Sequence, residues 1–289
     1  MKVLPFQIPK PAQKALIYQI DKGSQFYAQL HQHAEIQISL IVTGEGDLVV
    51  GDTITRFTAG DVFVLGSHLP HLFRSDEQND APVEMRTLFF TKTSFGKLFF
   101  DLIELKELDA LFLRMEAGLR IVGKKEALKE ILLKMKGTSQ LDRLIAFFEM
   151  LRVMARNENE ILSSFSYHKS YSEEEGTRMS KVYNYAMGHF QRDISLDEIA
   201  GIATMTPNAF CRYFKQRTNK TFFQFISELR IEYACRLLQK NNDLSIAEIS
   251  EKSGFRNLSN FNRQFRQSKG NTPSSFRKVS VLRSEGQQF

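Results

Sequence analysis

The chain has 289 residues, of which 42% are hydrophobic and 25% are charged, with 16 glycines and 7 prolines. These values exclude collagen-like, low-complexity and largely disordered proteins. The two cysteines, Cys211 and Cys235, are too few for a disulfide framework or a four-cysteine zinc site. Prolines interrupt the N-terminal stretch before a signal sequence forms, and no run approaches the ~18 apolar residues of a membrane span. We therefore expect a cytoplasmic protein with no membrane partner.

The net charge of +6 is unevenly distributed along the chain. From Arg178 to Phe289 there are 18 basic and 9 acidic residues, a balance of +9, whereas residues 1–177 carry −3. A basic lobe joined to a mildly acidic one indicates a half that binds a polyanion and a half with another task. A basic solvated surface with no such partner explains the charge equally well at this point.

Residues 24–90 consist of short runs with alternating polarity, separated by glycine-containing turn signals. About eight short strands at this spacing are typical of a small barrel or sandwich. The runs are SQFYAQLHQH, EIQISLIV, DLVV, TITRF, DVFVL, PHLFR and PVEMRTLFF.

Residues 95–160 have helical periodicity instead of alternation. Two apolar stripes lie on either side of Gly137, formed by Leu128, Ile131, Leu132 and Met135, and by Leu141, Leu144, Ile145, Phe148 and Leu151. Such faces pack either within the chain or against a partner helix, and we favour the second, which predicts a homodimer.

A Ser- and Glu-rich stretch without apolar periodicity begins at Ser163, and we interpret it as a linker. We predict an α+β protein of two domains, an N-terminal β-barrel with a helical extension and an all-α C-terminal domain. The predicted boundaries are 1–94 for the barrel, 95–162 for the helical segment, 163–177 for the linker and 178–289 for the C-terminal domain.

Two stretches of the C-terminal domain resemble each other at an offset of about 50 residues. Each begins with the serine and glutamate of a capping box, Ser195 with Glu198 and Ser245 with Glu248. A short apolar helix, a tight turn and a second helix follow in each copy. This order predicts two helix-turn-helix motifs, at about 195–217 and 245–268, joined by an amphipathic helix that begins at Phe222.

The second helix of each motif has one aromatic face and one polar face. Phe210 and Phe214 are four residues apart, and Phe261 and Phe265 repeat them 51 positions later, so the rings anchor each helix to a core. The opposite face is left for the major groove, where Arg and Asn pair with base edges and Lys meets phosphate. The predicted DNA-binding residues are Asn208, Arg212 and Lys215 in the first copy, and Ser259, Asn260, Asn262, Arg263 and Arg266 in the second.

The stretch from Met179 to Lys278 resembles the AraC/XylS family of bacterial transcription regulators. The likeness is strongest in IAEISEKSGFRNLSNFNRQFRQSKGNTPSSFR, with its Gly-Phe, paired aromatics and Thr-Pro; Phe222 occupies the place where this second copy has Pro273. The resemblance implies double-stranded DNA as partner, RNA polymerase as a further partner, and a cupin-like front half that binds an effector and dimerises.

The front half is similar to the cupin motifs. LHQHAEIQISLIVTGEG supplies an HxH pair, His31 and His33, with Gln37 where metal cupins usually carry Glu, and FTAGDVFVLGSHLPH supplies His71. If residues 31–37 form a strand, His31, His33 and Gln37 share one face and converge inside the barrel. We expect them to bind a small polar effector, and we predict neither a metal nor another cofactor. Three imidazoles with an amide as a divalent-metal site, and a pocket of mutually satisfied histidines, are the alternatives.

We predict a sequence-specific, effector-controlled transcription regulator rather than an enzyme, since no nucleophile-base pair, phosphate-binding glycine loop or carboxylate pair is evident. A cupin-type metal-dependent enzyme with a basic accessory domain is the first alternative. A nonspecific nucleic-acid-binding protein is the second.

Overall fold

The computed structural model describes residues 14–76, 81–164, 173–240 and 243–285, and the chain divides into two compact units, 1–177 and 178–289. The strands described in the first unit are β1 (Ile17–Gly23), β2 (Ile36–Thr43), β3 (Gly46–Val50), β4 (Thr53–Phe57), β5 (Val62–Leu65), β6 (His71–Ser75), β7 (Val83–Phe90), β8 (Leu119–Ile121) and β9 (Asn159–Ile161). Its α-helices are α1 (Asp109–Met115), α2 (Lys125–Lys134) and α3 (Gln140–Ala155), preceded by 3₁₀ turns at Phe99–Asp101 and Ile103–Leu108.

The helices of the second unit, the first of which begins just before the boundary, are α4 (Glu173–His189), α5 (Leu196–Ile202), α6 (Pro207–Thr218), α7 (Phe222–Lys240), α8 (Ile246–Lys252), α9 (Leu258–Lys269) and α10 (Pro273–Glu285). No helix within the described ranges has the length and apolar character that a bilayer crossing requires. The predicted α+β architecture is confirmed, with a β-rich N-terminal part and a helical C-terminal part.

The strands form two antiparallel sheets, one of six strands in the order β1-β7-β2-β5-β8-β9 and one of three in the order β4-β3-β6. Strand β2 is central in the larger sheet. Its residues Ile36, Ile38 and Leu40 pack on the core shared with α1, α2 and α3, while Ile41 belongs to the core between the sheets. Both faces of β2 are buried, so Gln37 and Ser39, which alternate with its apolar residues, need hydrogen-bond partners inside the protein.

The run 24–33 does not form the predicted strand. Only His31 pairs with another strand, through an isolated antiparallel bridge to His71. The amide of Phe26 donates to Ser75 Oγ rather than to a neighbouring backbone, so side chains replace the ladder here. The first strand lies earlier, at β1, which pairs with β7 along its whole length.

The segment predicted to be helical also contains two strands of three residues each, β8 and β9. β8 pairs with β5 at Phe63 and Val64, and β9 pairs with β8, so the two extend the larger sheet at its edge. Strands this short have no periodicity that distinguishes them from loops.

The residues of the predicted linker differ in structure. Ser163 and Ser164 both donate hydrogen bonds to the carboxylate of Asp52, which fixes them to the first unit. Glu173 to Thr177 already belong to α4, and residues 165–172 lie outside the described residues.

The buried face of α3 differs from the predicted stripe. Phe147, Met150, Leu151 and Met154 face the core, whereas Leu141 and Ile145 are 66% and 58% exposed. The other members of the predicted stripe do belong to the core, because Leu151 is buried in it and Leu144 and Phe148 pack against it.

The two halves of the second unit repeat one packing scheme. Both capping boxes are present, at Ser195 with Glu198 and at Ser245 with Glu248. The Phe pairs of α6 and α9, Phe210 with Phe214 and Phe261 with Phe265, are fully buried. Phe222 packs on both rings of the first pair, while Phe276 of α10 contacts Phe265 in the second copy.

The turn between α8 and α9 depends on Gly254, whose φ is 85°. A Cβ at this position would lie 2.5 Å from the carbonyl oxygen of Gln191 and 2.9 Å from Arg230 Nε. We expect Gly254→Ala to lower the free energy of unfolding by at least about 1–2 kcal/mol, because a left-handed backbone disfavours a side chain and the clash adds to that cost. Urea unfolding followed by circular dichroism at the helical band measures the loss.

The matched control is Gly201→Ala on α5, where a Cβ would contact nothing within 4 Å. There alanine is expected to stabilise by up to about 1 kcal/mol, because glycine is a poor helix former. Equal unfolding midpoints for the two variants would contradict the requirement for glycine at position 254.

Candidate functional site

Three of the four predicted effector-binding residues form a histidine cluster in the first unit. One ring nitrogen each from His31, His33 and His71 lies within 4.8 Å of the others. The backbones of His31 and His71 exchange two hydrogen bonds, of 3.0 and 2.9 Å, which bring the two rings to a centroid distance of 4.3 Å. The bridge between a loop residue, His31, and the start of β6 therefore brings the histidines together. Sequence analysis expected alternation along one strand to do this.

Each ring of the histidine cluster is oriented by a backbone carbonyl. Carbonyl oxygens only accept hydrogen bonds, so Nδ1 carries the proton in His31 and His71 and their Nε2 atoms keep the lone pair. His33 faces acceptors on both sides, the Glu35 carbonyl and Gln37 Oε1, and the proton of a neutral ring can serve only one of them. The Nδ1 to oxygen distances are 2.8 Å from His31 to Gln29, 2.9 Å from His33 to Glu35, and 2.8 Å from His71 to Leu69.

Burial keeps the three imidazoles neutral. Desolvation lowers the pKa of His31 to about 4, lowers the pKa of His33 and takes the pKa of His71 well below its usual value. His71 is fully buried, and its Nε2 has no hydrogen-bond partner among the described residues. The cluster is thus a set of neutral nitrogen donors, one of which lacks a partner.

The fourth predicted residue, Gln37, connects this cluster to a polar chain inside the barrel. Its Oε1 lies 3.0 Å from His33 Nε2, its Nε2 donates to Ser39 Oγ at 2.8 Å, and Ser39 Oγ lies 2.9 Å from Thr87 Oγ1. A half-turn of the amide exchanges its oxygen and nitrogen, so Gln37 can offer either a donor or an acceptor to His33.

Ser39 and Thr87 were not predicted as site residues. They are directly opposite each other on β2 and β7, and both are buried. A hydroxyl in the middle of the apolar run EIQISLIV was the available signal for Ser39. Thr87 becomes identifiable only once the register of β7 on β2 is known.

A cavity of about 790 Å³ opens beside this polar chain. Its walls include His31, Gln37 and Thr87, together with the rings of Tyr27 and Phe89. Apolar walls with a few polar groups at fixed positions are typical of small-molecule sites. The cavity has room for a ligand that would contact the histidine cluster from one side.

In the second unit, α5 with α6 and α8 with α9 form two helix-turn-helix motifs. The predicted DNA-binding side chains are on the faces opposite the buried Phe pairs, and all are exposed except the half-buried Asn260. Arg212, Lys215 and Arg266 form no ion pair within the described part of the chain. Arg263 donates to Asn260 Oδ1 at 2.9 Å, so Asn260 orients that guanidinium.

Gln216 and Gln267 are exposed on α6 and α9, each one turn after the arginine of its helix, and neither was predicted. They are 51 positions apart, the same offset that relates Arg212 to Arg263. The repeat itself therefore contained the signal, and amides at these positions can pair with adenine.

Polar contacts fix the segment after α4 to α7 and to the second motif. Arg230 on α7 donates to the carbonyls of Phe190 and Arg192 at 2.6 and 2.9 Å. Gln191 donates to the carbonyl of Lys252, and Arg256 forms an ion pair with Asp193. These contacts add to α7 in holding the two motifs together within the second unit.

Two family models match the chain. The AraC-like ligand binding domain matches residues 14–140, and a helix-turn-helix domain matches residues 199–279. The chain belongs to the AraC family of transcription regulators. It is a DNA-binding regulator with an N-terminal ligand-binding domain, and no finding supports the cupin-enzyme alternative.

Relatives of this AraC-family chain include two proteins of Bacillus subtilis (strain 168), both described as uncharacterised HTH-type transcriptional regulators. YdeC is 25% identical over 95% of this chain and 93% of its own length. YobQ is 33% identical over 32% of this chain and 38% of its own length. Among solved structures, ToxT from Vibrio cholerae O395 covers 91% of this chain and 97% of its own, with 14% identity and a TM-score of 0.36.

We expect Gln37→Leu to lower the free energy of unfolding of this AraC-type ligand-binding domain by about 1–3 kcal/mol, because the buried Ser39 hydroxyl loses its amide partner. Urea unfolding measures the change. Gln19→Leu is the matched control, since Gln19 is a half-buried glutamine on β1 whose amide bonds Asp21 and no other residue that the structure describes. That variant is expected to stay within about 0.5 kcal/mol of the unmodified chain. Equal losses in both would show that the polar chain contributes nothing specific.

Proposed function

We propose that this AraC-family regulator binds one specific DNA sequence through both motifs, as a homodimer, under the control of a small molecule in the barrel. The observation that carries the DNA-binding part is the repetition of exposed cations at equivalent places, Arg212 with Arg263 and Lys215 with Arg266. It acts in the cytoplasm, where bacterial DNA lies, with RNA polymerase as the partner at the promoter.

The side chains divide by role. Arg212 and Arg263 reach guanine O6 and N7, and Asn208 and Asn262 pair with base edges in the same groove. Asn260 holds Arg263 in place, so its contribution is to orient the reading group. Ser259, Lys215 and Arg266 contact phosphate and set the register of the helices on the duplex. The two helices read adjacent major-groove faces about one turn, ~34 Å, apart.

Selection of genomic DNA fragments by the purified chain at near-physiological salt tests this reading. We expect one motif with two patches. Arg212→Ala is expected to degrade one patch and Arg263→Ala the other, each by about 1–3 kcal/mol, because each guanidinium reads its own base pair. Lys215→Ala weakens all fragments nearly uniformly and lowers the salt dependence.

Lys181→Ala is the control, since Lys181 is an exposed cation of the same unit on α4, outside both recognition helices. It is expected to leave the selected motif unchanged. Recovery of random fragments by every variant would contradict sequence-specific binding and leave a nonspecific polyanion-binding lobe.

The effector binds at His31, His33, Gln37 and His71, in the cavity beside them. Support comes from the lining of the cavity, which combines aromatic and aliphatic side chains with the polar groups of His31, Gln37 and Thr87 and the charged groups of Asp21 and Lys22. Leu69, whose carbonyl accepts from His71, belongs to the same core as Leu162, which immediately precedes the Asp52-bound Ser163. A ligand that moves His71 therefore disturbs the segment that leads out of the first unit. Because binding at two coupled sites is reciprocal, the factor by which the effector changes DNA affinity equals the factor by which DNA changes effector affinity.

The homodimer forms through the exposed stripe of α3. Leu141, Leu144, Ile145 and Phe148 follow the spacing of a helix-helix seam, and two of the four are more than half exposed. Leu144 and Phe148 also pack against the chain's own core, so Leu141 and Ile145 are the members of the stripe that project towards a second copy. Sequence analysis favoured dimerisation over packing within the chain, and the exposure of Leu141 and Ile145 supports it.

We expect the double variant Leu141→Glu and Ile145→Glu to be monomeric, because four buried carboxylates in the dimer would have no partner. Sedimentation equilibrium measures the mass. Val122→Glu is the control, since Val122 is 55% exposed in the same unit but lies outside the stripe. A dimer that persists in the double variant would place the interface elsewhere.

A further inference from the structure

We propose that the effector is a small organic cation with an aromatic body, in the simplest case a primary amine, and that Asp21 on β1 binds its charge inside the cavity. The proposal rests on the effector site proposed above and specifies its chemistry. It adds to that site a residue, Asp21, that was not predicted from the sequence.

The pairing of β1 with β7 places the Asp21 side chain on the inner face of the larger sheet. Residues directly opposite each other in an antiparallel pair share a face. Asp21 is opposite Met85, which belongs to the core between the sheets, and Gln19 is opposite Thr87, which belongs to the polar chain. Asp21, Gln19 and Thr87 all line the cavity. The carboxylate therefore faces the same space as the polar chain.

The Asp21 carboxylate has no counter-ion within the described part of the chain. The one hydrogen bond that it accepts there comes from Gln19 Nε2, at 2.6 Å. The cations nearest to it in sequence and register, Lys22 and Arg86, alternate onto the opposite face of the sheet. Both pair there with Glu84, at 2.8 and 2.9 Å. Asp21 is thus left with a negative charge that no neighbouring cation balances.

Partial burial makes this unbalanced charge unfavourable. Desolvation raises the pKa of the Asp21 carboxyl, and the hydrogen bond from Gln19 only partly opposes that shift. A cationic ligand beside the carboxylate would offset the cost, whereas an anionic ligand would add repulsion to it. His31 contributes no positive charge of its own to the cavity, because burial lowers its pKa to about 4. The electrostatics of the cavity therefore favour a positively charged ligand.

Aromatic side chains indicate the body of the ligand. Phe26, Tyr27, Phe73 and Phe89 line the cavity. Edge-to-face contacts already connect Phe26 with Phe73, at 6.3 Å between centroids, and Tyr27 with His31, at 5.0 Å. A further ring extends this packing, and ring faces also attract a nearby cation. An aromatic body next to a positive charge therefore matches both parts of the wall.

The dimensions of the site set the length of the ligand. Asp21 and Thr87 are diagonal neighbours on one face of the β1–β7 pair, a separation of ~7–8 Å. A molecule with an ammonium group at one end of a ring and a hydroxyl group at the other spans this distance. Its hydroxyl end would then lie near Thr87 and Gln37, which also line the cavity. The cavity volume of about 790 Å³ is sufficient for such a molecule.

The test measures by calorimetry how the full chain binds amines and the alcohols of matching shape. The pairs are tyramine with tyrosol and benzylamine with benzyl alcohol. We expect each amine to bind about 10–100-fold more tightly than its alcohol, since a contact with a charged group contributes more than a neutral one. Asp21→Asn is expected to remove this preference and keep the affinity for the alcohols, because asparagine has the same shape and still accepts from Gln19.

Asp101→Asn is the matched control, since Asp101 is an exposed aspartate of the same unit that does not line the cavity. It is expected to keep the full preference for amines. Asp21→Lys guards against variants that merely misfold. It is expected to bind 4-hydroxyphenylacetate more tightly than tyramine, a reversal that an unfolded chain cannot show.

Three results would overturn the cation site. The first is equal affinity of the unmodified chain for amine and alcohol, or no binding of either amine at millimolar concentration. The second is an unchanged preference for amines in Asp21→Asn. The third is tighter binding of 4-hydroxyphenylacetate than of tyramine by the unmodified chain, which would make Lys22 the charged group that selects the ligand.

DNA affinity measured with and without the same compounds separates this inference from the proposed function. Binding of tyramine through Asp21 with no change in DNA affinity would contradict effector control and leave the cation site standing. A DNA affinity that responds equally to tyramine and tyrosol, in the unmodified chain and in Asp21→Asn, would contradict the cation site alone.

Discussion

The burial of strand β2 on both faces is the constraint on which the first unit depends. Its outward residues, Ile36, Ile38 and Leu40, require the cover of α1, α2 and α3, and its inward residues require the second sheet. Apolar cover on both sides leaves Gln37 and Ser39 without access to bulk water, so their partners must be internal. The polar chain to Thr87 and the histidine cluster follow from that requirement.

The second unit presents two polar helix faces, those of α6 and α9, from one small domain. Each recognition helix is held by two buried phenylalanines on one side, which leaves its cations on the other. The caps are 50 residues apart and the Phe pairs 51, because the second turn is one residue longer, with Gly254 at the place that Thr204 occupies in the first. The contacts of Arg230 then fix the second motif against the segment after α4.

Sequence patterns predicted the features set by residues within a few positions of one another. They did not predict the features that depend on which strands pair and in which register. Capping boxes and residues at i and i+4 act within one or two helical turns, so both motifs were predictable. The segment 24–33 alternates like a strand, yet only His31 forms a β-bridge, while the amide of Phe26 bonds Ser75 Oγ and the carbonyl of His33 accepts from the amide of His68. The three histidines do lie together, but the bridge between His31 and His71 brings them there rather than alternation along one strand. Thr87 and the two edge strands depend on register, which no single segment encodes.

A buried polar site that is almost but not fully satisfied is well suited to ligand control. An unpaired buried acceptor costs about 1–3 kcal/mol, and the coupling between two sites in a regulator is of the same size. A ligand that supplies the missing partner of His71 can therefore stabilise one arrangement of the barrel by enough to matter. The carbonyl that bonds His71 belongs to Leu69, and Leu69 shares a core with Leu162 near the end of the first unit. Stabilising His71 therefore also stabilises the packing of that segment. A fully satisfied pocket at the same place would bind its ligand with less consequence, since each new contact would have to replace an existing one.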